Sequence, residues 1–534
     1  MTRFLCVHGH FYQPPRENPW TGEIGLEASA APFRNWNERI TEECYRPNAH
    51  PVSSGADGVR RELPSNYSRM SFNFGPTLFD WLDRRAPDVA GEIRRADRES
   101  RDRFSGHGSA IAQGYNHMIL PLANARDRRT QVLWGVRDFE HRFGRSPEGL
   151  WLPETAVDLP TLEDLASFGI RFTILAPQQA RRMRPLAGGE WQDVSGGRID
   201  PRRPYLVVLP SGARIAVFFY DGPASGAIAF GALAEGGEAL ARRLAGLAAD
   251  IPGPQLLHVA TDGETYGHHH NGGEVALAEA LDLIPASGFA RLTNYGEYLS
   301  LHSPAEEVEI AENTAWSCAH GLGRWERDCG CRSAHLPDWS QAWRGPLRAA
   351  LDRLAKRLDA FFEDDASRFF DDPWAVRDAS VALWLDKRPD AAPRFLAEHA
   401  KRPLSRDEET RALRLLMLQR ERLAMFTSCG WFFDDVSGVE AVLCLTRAAR
   451  AMDIAKLLGE DAEDGFVERL RSVPSNLPRY ENGAKVWKTL VGSVRVGLPR
   501  AAAHAALLDH LHLPALEPRL LRWRVGPAFR ADKA

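Results

Sequence analysis

Short apolar runs alternate with longer amphipathic stretches along the N-terminal half of the chain. Runs of strand length, rich in β-branched or aromatic residues, occupy residues 4–7, 150–152, 172–175, 206–209, 215–220 and 256–260. Between them, apolar residues recur at helical spacing over residues 77–95, 128–143, 159–168, 234–249 and 274–283. Strands that alternate with helices predict an α/β fold, in which helical crossovers join the strands of a parallel sheet.

The C-terminal part has a different pattern. After about residue 305, apolar residues at helical spacing, with charges on the opposite face, occupy residues 346–362, 405–425 and 438–458. Few strand-like runs interrupt them. Glycine-rich stretches over residues 187–197 and 222–237 predict surface loops or a small β insertion. We therefore predict two domains: residues 1–304, and a mainly helical domain of residues 305–534.

Composition places the chain among globular proteins. Of its 534 residues, 44% are hydrophobic and 26% are charged, which excludes a disordered or collagen-like chain. The 67 basic and 71 acidic residues leave a net charge of −4, so we expect neither a nucleic-acid nor a membrane partner. Seven cysteines do not suggest a disulfide framework, and no apolar stretch is long enough for a membrane span. We therefore expect a cytoplasmic protein.

Lysine usage excludes two kinds of chemistry from most of the chain. Lysine occurs seven times, and the first is Lys356. The residues before it therefore hold no lysine that could form a Schiff base or bind phosphate in a Walker-type loop.

Two histidines end the first predicted strand, in the motif His8-Gly9-His10. Residues i and i+2 of a strand point to the same side, so both imidazoles would lie on one face at the C-terminal end of the strand. In a barrel, this end carries the active site. The pattern fits either a metal-binding pair or two hydrogen-bonding groups for a hydroxyl-rich ligand.

Two later strands each end in carboxylates. The segment Trp151-Leu152-Pro153-Glu154 delivers a single carboxylate after an apolar run, where it must be hydrogen-bonded or change its pKa, unless it belongs to a helix N-terminus near Asp158.

The second such strand opens into Asp262-Gly263-Glu264, and three consecutive histidines follow at residues 268–270. A polar loop that happens to be rich in histidine is the structural alternative for those histidines. His117, which precedes Pro121-Leu122, adds a further candidate.

Cysteines near the middle of the chain raise the question of a zinc site. Cys318, Cys329 and Cys331 lie close in sequence to His320 and His335. Their spacing does not match the paired Cys-x2-4-Cys pattern of structural zinc sites, so we expect no metal there.

Two aromatic stretches, residues 313–325 and 427–435, combine tryptophan with glycine-rich turns. They would suit stacking on sugar rings, although core packing is the more common use of these residues.

Taken in order, these segments resemble glycoside hydrolase family 57, which contains α-amylases, branching enzymes and 4-α-glucanotransferases. The resemblance rests on short motifs: His8-Gly9-His10 with Gln13-Pro14, His117 before Pro121-Leu122, Trp151-Leu152-Pro153-Glu154, Asp262-Gly263-Glu264-Thr265-Tyr266-Gly267, and Ser428-Cys429-Gly430-Trp431. Residues 313–325 are similar to a further Trp-His-Gly motif, with Ala319 in the place of its tryptophan. Residues from about 305 onward resemble an uncharacterised C-terminal domain found in a subset of the family.

The resemblance implies a fold, a reaction and a set of site residues. The fold is an incomplete (β/α)7 TIM-like barrel followed by a mainly α-helical C-terminal domain that contributes to the active-site cleft. The reaction is a retaining glycoside hydrolysis or transglycosylation on α-linked glucans, in which Glu154 is the nucleophile and Asp262 is the acid and base; it requires the two carboxyls to lie about 5 to 5.5 Å apart. The expected substrate-binding residues are His8, His10, His117, Trp151, Glu264, His320 and Trp431. No cofactor and no metal are expected, and the partner is an oligosaccharide or polysaccharide substrate.

Two alternatives remain open at this point. A metal-dependent amidohydrolase or polysaccharide deacetylase could use His8 and His10 as ligands, but it leaves the joint pattern of Glu154 and Asp262 unexplained. A non-catalytic glycan-binding protein would explain the aromatic residues, although both carboxylates are intact.

Overall fold

The computed structural model describes residues 3–54, 59–333, 336, 338–497 and 500. The strands are β1 (Arg3–Phe11), β2 (Val52–Ser54), β3 (Arg60–Glu62), β4 (Ser71–Phe74), β5 (Ala112–Gln113), β6 (Leu150–Trp151), β7 (Phe172–Leu175), β8 (Ala180–Pro185), β9 (Gln192–Asp193), β10 (Pro204–Val208), β11 (Arg214–Phe219), β12 (Gln255–Asp262), β13 (Arg291–Leu292) and β14 (Glu306–Ile310).

The helices of the first 301 residues are α1 (Trp36–Ile40), α2 (Arg46–Ala49), α3 (Pro76–Arg85), α4 (Pro87–Arg103), α5 (Ala125–Phe143), α6 (Leu159–Ser167), α7 (Gly222–Ala229), α8 (Gly237–Ala245), α9 (Gly273–Ala286) and α10 (Tyr295–Leu301). The later helices are α11 (Arg344–Ala366), α12 (Pro373–Ala379), α13 (Val381–Leu385), α14 (Ala391–His399), α15 (Arg406–Ala424), α16 (Val439–Leu458), α17 (Glu463–Leu470), α18 (Gly483–Val486) and α19 (Gly492–Val494).

The chain divides into two compact units. The first contains the chain up to Pro14, Trp36–Gly323 and Asp378–Arg388; the second contains Pro15–Asn35, Arg324–Arg377 and the described chain from Pro389. The domain boundary that the sequence predicts, between residues 304 and 305, remains a prediction. The strand that follows it, β14, pairs with β8 and β10 within the first unit.

A series of parallel strands forms the centre of the first unit. Strand β1 pairs in parallel with β12 on one side and with β4 on the other. A parallel bridge from Phe72 to Ala110 leads to β5, and β5 pairs in parallel with β6. A second parallel bridge, from Gly149 to Phe172, leads to β7, which pairs in parallel with β11. All these strands therefore place their carboxyl ends at the same edge, where α/β proteins bind their ligands.

One face of these strands changes from apolar to polar along its length. On β1, Phe4 and Cys6 belong to the buried hydrophobic core, and the next residues on the same face are His8 and His10. On β12, Leu256 and Ala260 belong to the same core, and Asp262 continues their face at the strand end. The apolar half of the face stabilises the unit, and the polar half supplies the candidate site.

The sequence predicted most of these elements. The strand runs at residues 4–7, 172–175 and 256–260 are confirmed within β1, β7 and β12. Residues 77–95 form parts of two helices, α3 and α4, because Pro87 forces Ala86 out of helical geometry (φ −138°, ψ 58°).

The loop predicted over residues 222–237 is wrong in part, since Gly222–Ala229 is helix α7. Asp221 starts this helix by accepting a hydrogen bond from the backbone N–H of Ala224. The cap at Asp221 therefore stabilises a helix here despite the glycines of the segment.

The second unit is helical in its described residues. Helices α11, α15 and α16 bury Leu351, Leu415 and Leu445, and Ser405 with Glu408 forms a capping box at the start of α15. Among the described residues, no helix is long and apolar enough to cross a membrane.

Candidate active site

Neutral histidines line the carboxyl end of β1. The ring of His8 lies within hydrogen-bonding distance of Ser71 Oγ (3.0 Å) and Asn73 Oδ1 (3.2 Å). Asn73 Nδ2 lies 2.9 Å from His10 Nδ1, and His10 Nε2 lies 3.1 Å from His117 Nε2. Burial lowers the pKa of His8 and of His10 to about 3, and it lowers the pKa of His117 well below its usual value. All three imidazoles are therefore neutral near pH 7.

The neighbours of these rings favour hydrogen bonding over metal ligation. A hydroxyl and an amide engage His8, and an amide and another imidazole engage His10. Within the part of the chain that the structure describes, the side chains gathered closely enough to hold one metal ion do not include His8 or His10. A neutral imidazole that donates at one nitrogen and accepts at the other suits a sugar hydroxyl.

Glu154 lies in a strained turn just after β6. Glu154 and Thr155 have φ values of 56° and 51°, which are uncommon for residues other than glycine and concentrate at functional sites. Glu154 Oε2 accepts hydrogen bonds from Trp316 Nε1 (3.0 Å) and Ser317 Oγ (2.7 Å). The residue is 8% exposed. The turn and the two donors fix the direction of an almost buried carboxylate.

The N-terminus of α6, which could have explained the position of Glu154, is capped by another residue. Asp158 caps α6, and its side chain accepts a hydrogen bond from Thr161 N at 2.8 Å. Glu154 therefore has no capping role in α6, and its costly placement calls for a different explanation.

Asp262 is the last residue of β12. Its side chain is accessible to solvent, although protein surrounds the carboxyl on most sides. Burial first, and the negative charge of Glu154 second, raise the pKa of Asp262 to about 7. Asp262 in turn contributes, after burial, to the raised pKa of the Tyr220 hydroxyl. Two carboxyls that interact in this way cannot both ionise easily, so one proton remains in the site near neutral pH.

Glu264 lies two residues after Asp262, in the turn that follows β12. Its Oε1 accepts hydrogen bonds from Tyr45 Oη (2.7 Å) and from the backbone N–H of Tyr12 (3.1 Å), and the residue is 5% exposed. Burial is the main cause that raises the pKa of Glu264 to about 8, and the charge of Asp262 adds to it. These contacts hold the turn that carries Asp262, so substrate binding by Glu264, as the sequence suggested, has no support in the geometry.

The predicted tryptophans are packed in cores. Trp151 is fully buried, and its ring stacks on His8 (4.8 Å between ring centroids) and on His10 (5.1 Å). Trp431 is 1% exposed, and its Nε1 donates to the backbone oxygen of Arg344. Neither ring has an exposed face on which a sugar could stack. The geometry therefore does not support the stacking roles that the sequence suggested for Trp151 and Trp431.

Some site residues were missed or misjudged in the sequence. Trp316 is partly buried, packs edge-on against Trp151 at 5.1 Å, and donates to Glu154 as described above. It lies in the aromatic stretch 313–325, but nothing in the sequence connects that stretch to Glu154. Asn73 links His8 to His10 and belongs to no motif. His320 is exposed, and its role in substrate binding stays a prediction.

The histidine loop after Glu264 has structural partners. His268 pairs with Glu43, and His270 donates to the backbone oxygen of Ala229. These contacts favour the interpretation of residues 268–270 as a polar loop.

A pair of carboxyls in one site is a feature of glycoside hydrolases. The sequence profile of glycosyl hydrolase family 57 matches residues 6–311, which is more than half of the chain. The chain therefore belongs to glycosyl hydrolase family 57, and the resemblance noted from the motifs is confirmed. Residues 339–522 match a second profile, described as a domain of unknown function (DUF3536).

Comparison with individual proteins supports the fold. An exo-type maltose-forming amylase from Pyrococcus sp. ST04 superposes with a TM-score of 0.68 at 15% identity, over 96% of this chain and 94% of that one. A family 57 branching enzyme from Thermococcus kodakaraensis gives a TM-score of 0.54 at 16% identity, over 92% of this chain and 96% of that one. At these identities the likeness concerns the fold alone.

One curated relative matches in sequence over a short region. The 1,4-alpha-glucan branching enzyme of Thermococcus kodakarensis is 32% identical over 85 residues, which is 16% of this chain and 12% of that protein. The match thus spans far less than two thirds of that relative.

Proposed function

We propose that this chain is a retaining enzyme that hydrolyses or transfers α-linked glucans, with Glu154 as the nucleophile and Asp262 as the acid and base. The observation that carries the proposal is the pKa of Asp262, which burial and the charge of Glu154 raise to about 7. A general acid has to keep its proton near the working pH, and the raised pKa of Asp262 suits it to that role.

The two carboxyls would work in a double displacement. Glu154 attacks the anomeric carbon, the glycosidic C–O bond breaks, and Asp262 gives its proton to the departing oxygen. A glycosyl ester on Glu154 results. Asp262, now a carboxylate, then takes a proton from water or from an acceptor hydroxyl, whose oxygen attacks the same carbon and frees Glu154. Two inversions at one carbon leave the product with the configuration of the substrate.

The histidines would bind the sugar at the reacting unit. His10 and His117 are neutral and almost buried, so they can exchange hydrogen bonds with hydroxyls without placing a positive charge beside Asp262. A protonated imidazole there would lower the pKa of Asp262 and weaken it as an acid near neutral pH.

The substrate class comes from the relatives and from the family motifs. The similar proteins include a maltose-forming amylase and branching enzymes, and all of these names refer to α-glucan chemistry. The order of parallel strands, from β12 through β1 to β11, also supports the predicted incomplete (β/α)7 barrel with a helical C-terminal domain. A cytoplasmic location remains part of this proposal.

Substitution of the nucleophile tests the proposal. Glu154→Gln keeps the shape of the side chain and removes the attacking oxygen anion, so turnover of maltooligosaccharides, amylose and glycogen should fall by a factor of about 10³ or more. Glu163→Gln, on α6 in the same unit, is the matched control and should keep its activity. Circular dichroism should be unchanged in both. If Glu154→Gln keeps more than a few per cent of the activity, the assignment is wrong.

Azide distinguishes the two roles chemically. With a substrate that has a good leaving group, azide should attack the glycosyl ester in Asp262→Ala and give a glycosyl azide of retained configuration. In Glu154→Ala it should attack the sugar directly and give the inverted azide. Absence of both products in well-folded variants would favour a non-catalytic glycan-binding protein.

A further inference from the structure

We propose that Tyr220 is a substrate-binding residue, whose hydroxyl donates a hydrogen bond to a sugar hydroxyl at the reacting unit of the glucan. Tyr220 directly follows β11, which ends at Phe219, so it lies at the edge that carries the carboxyl ends of the parallel strands. The backbone N–H of Asp221 donates to the backbone oxygen of His258 at 3.0 Å. The end of β11 therefore lies beside β12, the strand that ends in Asp262.

The ring of Tyr220 is buried, but its hydroxyl reaches solvent. Tyr220 is 7% exposed and belongs to the hydrophobic core of the first unit. Among the described residues, none forms a hydrogen bond with this hydroxyl, yet the hydroxyl is not one of the side-chain oxygens that are sealed from solvent without a partner. The hydroxyls of Tyr45 and Tyr295, in contrast, contact Glu264 and His258. Because a buried tyrosine usually bonds its hydroxyl to protein, the open hydroxyl of Tyr220 is suited to bind a ligand.

Tyr220 lies close to both proposed catalytic carboxyls. Its ring packs edge-on against Trp316, with 6.3 Å between the ring centroids, and Trp316 donates a hydrogen bond to Glu154. The charge of Asp262 acts on its hydroxyl and contributes, after burial, to the raised pKa of Tyr220. In the proposed reaction, Glu154 and Asp262 flank the bond that breaks. A sugar bound between them therefore lies next to the hydroxyl of Tyr220.

Tyr220 is a neutral donor at every pH at which the enzyme would work. Burial, and after it the charge of Asp262, raise the pKa of Tyr220 above its usual value, so the hydroxyl keeps its proton. A phenol hydroxyl donates one hydrogen bond and can accept others, which matches the hydroxyl of a sugar. A lysine or arginine in the same place would bring a positive charge beside Asp262 and lower the pKa of that carboxyl.

The partner of the hydroxyl is the sugar and not Asp262. Among the described contacts, Asp262 accepts no hydrogen bond from Tyr220, and burial and Glu154 are the causes of its raised pKa. A hydrogen bond donated to the carboxylate of Asp262 would favour its ionised form and oppose its role as an acid. This inference rests on the proposed function, because it requires a sugar between Asp262 and Glu154.

The variant Tyr220→Phe tests the contact in kinetics. It removes one oxygen and keeps the ring against Trp316, so circular dichroism should be unchanged. We expect kcat/KM for maltopentaose to fall by a factor of roughly 10 at every pH, because one hydrogen bond to the substrate is lost. The decrease above about pH 7 should stay where it is in the wild type, since the pKa of Asp262 does not depend on this hydroxyl.

Tyr298→Phe is the matched control. The hydroxyl of Tyr298 lies 3.5 Å from the backbone oxygen of Pro254, at the amino end of β12, so its removal should leave the kinetics unchanged. A change of less than twofold in Tyr220→Phe would overturn the proposal. A decrease that moves to higher pH in Tyr220→Phe would also overturn it, because the hydroxyl would then act on Asp262.

Substrates that lack single hydroxyls locate the bond. We would compare 4-nitrophenyl α-maltosides, each without one hydroxyl of the glucose unit next to the leaving group, on the wild type and on Tyr220→Phe. One of them should be a poorer substrate of the wild type but should cause little further loss in the variant, since both changes remove the same bond. Losses that multiply for every one of these substrates would contradict the contact.

Binding separates this inference from the proposed reaction. In the Glu154→Gln background, calorimetry with maltopentaose should show binding that becomes several-fold weaker when Tyr220→Phe is added. If this occurs and the wild type processes no glucan, the proposed reaction fails and the contact stands. Equal affinity of the two proteins for maltopentaose, or no binding by either, would overturn the contact.

Discussion

At the scale of single residues, the proposed mechanism predicts that the titration of Asp262 sets how activity depends on pH. Because burial and Glu154 raise the pKa of Asp262 to about 7, Asp262 is protonated below this pH and loses its proton above it. The value of kcat/KM for an unactivated glucan should therefore fall about tenfold per pH unit above about pH 7.

The control for this pH dependence is Asp262→Asn. With a substrate whose leaving group needs no proton, the decrease above about pH 7 should disappear in this variant. A decrease that persists there would assign the titration to another group.

The two donors to Glu154 should matter for turnover. Trp316→Phe removes the hydrogen bond at 3.0 Å and keeps most of the ring, so kcat/KM should fall by a factor of roughly 10 to 100, the value of a hydrogen bond to a charged group. Trp191→Phe is the control, since Trp191 packs against Arg182 and Arg184 instead. Equal kinetics of the two variants would show that the bond from Trp316 contributes nothing to the reaction.

Glu264 should make the stability of the protein depend on pH. Its pKa is about 8 in the folded state and about 4.5 in an unfolded chain, so the folded state binds the proton more tightly and stability falls as pH rises between these values. Glu264→Gln can still accept both hydrogen bonds and carries no charge. Relative to the wild type, it should raise the unfolding free energy at pH 8, on the order of 2 kcal/mol, and change it little at pH 4.

Thermal unfolding at pH 4, 6 and 8 measures this difference, and Glu238→Gln on an exposed side chain serves as the reference. A Glu264→Gln variant that is destabilised equally at every pH would indicate a purely structural carboxylate.

At the scale of elements, glycines set the close approach of the strand ends. A Cβ on Gly263 would lie 2.3 Å from the ring of Phe11, so Gly263→Ala must displace the turn that carries Asp262 and Glu264. We expect a loss of stability of roughly 1 to 3 kcal/mol and a loss of activity of more than tenfold. Gly226→Ala is the control, because Gly226 lies in α7 with open space around it and should gain up to about 1 kcal/mol. Similar melting temperatures for the two variants would contradict this packing.

The elements were more predictable than the contacts between them. Apolar runs of strand length predicted β1 and β12, because a strand that is buried on both faces is apolar throughout. Helical spacing predicted α5, because a half-buried helix repeats its apolar residues with the period of its turns. The same spacing could not show that Asn73, on β4, joins two histidines of β1, since register is a tertiary property. The burial of Trp431 was also hidden, because an aromatic residue next to glycine can serve a core or a cleft equally well.

At the scale of the whole molecule, the first unit extends beyond the predicted domain boundary. Strand β14 pairs with β8 and β10, and Trp316 with Ser317 lies after it. A chain that ends at residue 304 loses this strand and both donors of Glu154. We expect it to aggregate or to retain less than a few per cent of the activity. A soluble and fully active truncation would contradict this account of the unit.

The two carboxyls that we propose as catalytic were chosen from the sequence only because two motifs resemble a known family. Burial and the interaction of Glu154 with Asp262 needed the three-dimensional arrangement, since more than a hundred residues separate them. The donors from Trp316 and Ser317 could not be predicted, because a local pattern does not specify which distant carboxylate a side chain meets.

Trapping the covalent intermediate tests the central claim most directly. A 5-fluoro glycosyl fluoride of α-glucose slows the second displacement more than it slows the first, so the glycosyl ester should accumulate on the enzyme. Peptide mass spectrometry should find one sugar per chain, attached to the peptide that contains Glu154, and Glu154→Gln should carry none. A label on Glu264 or Asp262, or turnover with inverted configuration and no label at all, would contradict the assignment of Glu154 as the nucleophile.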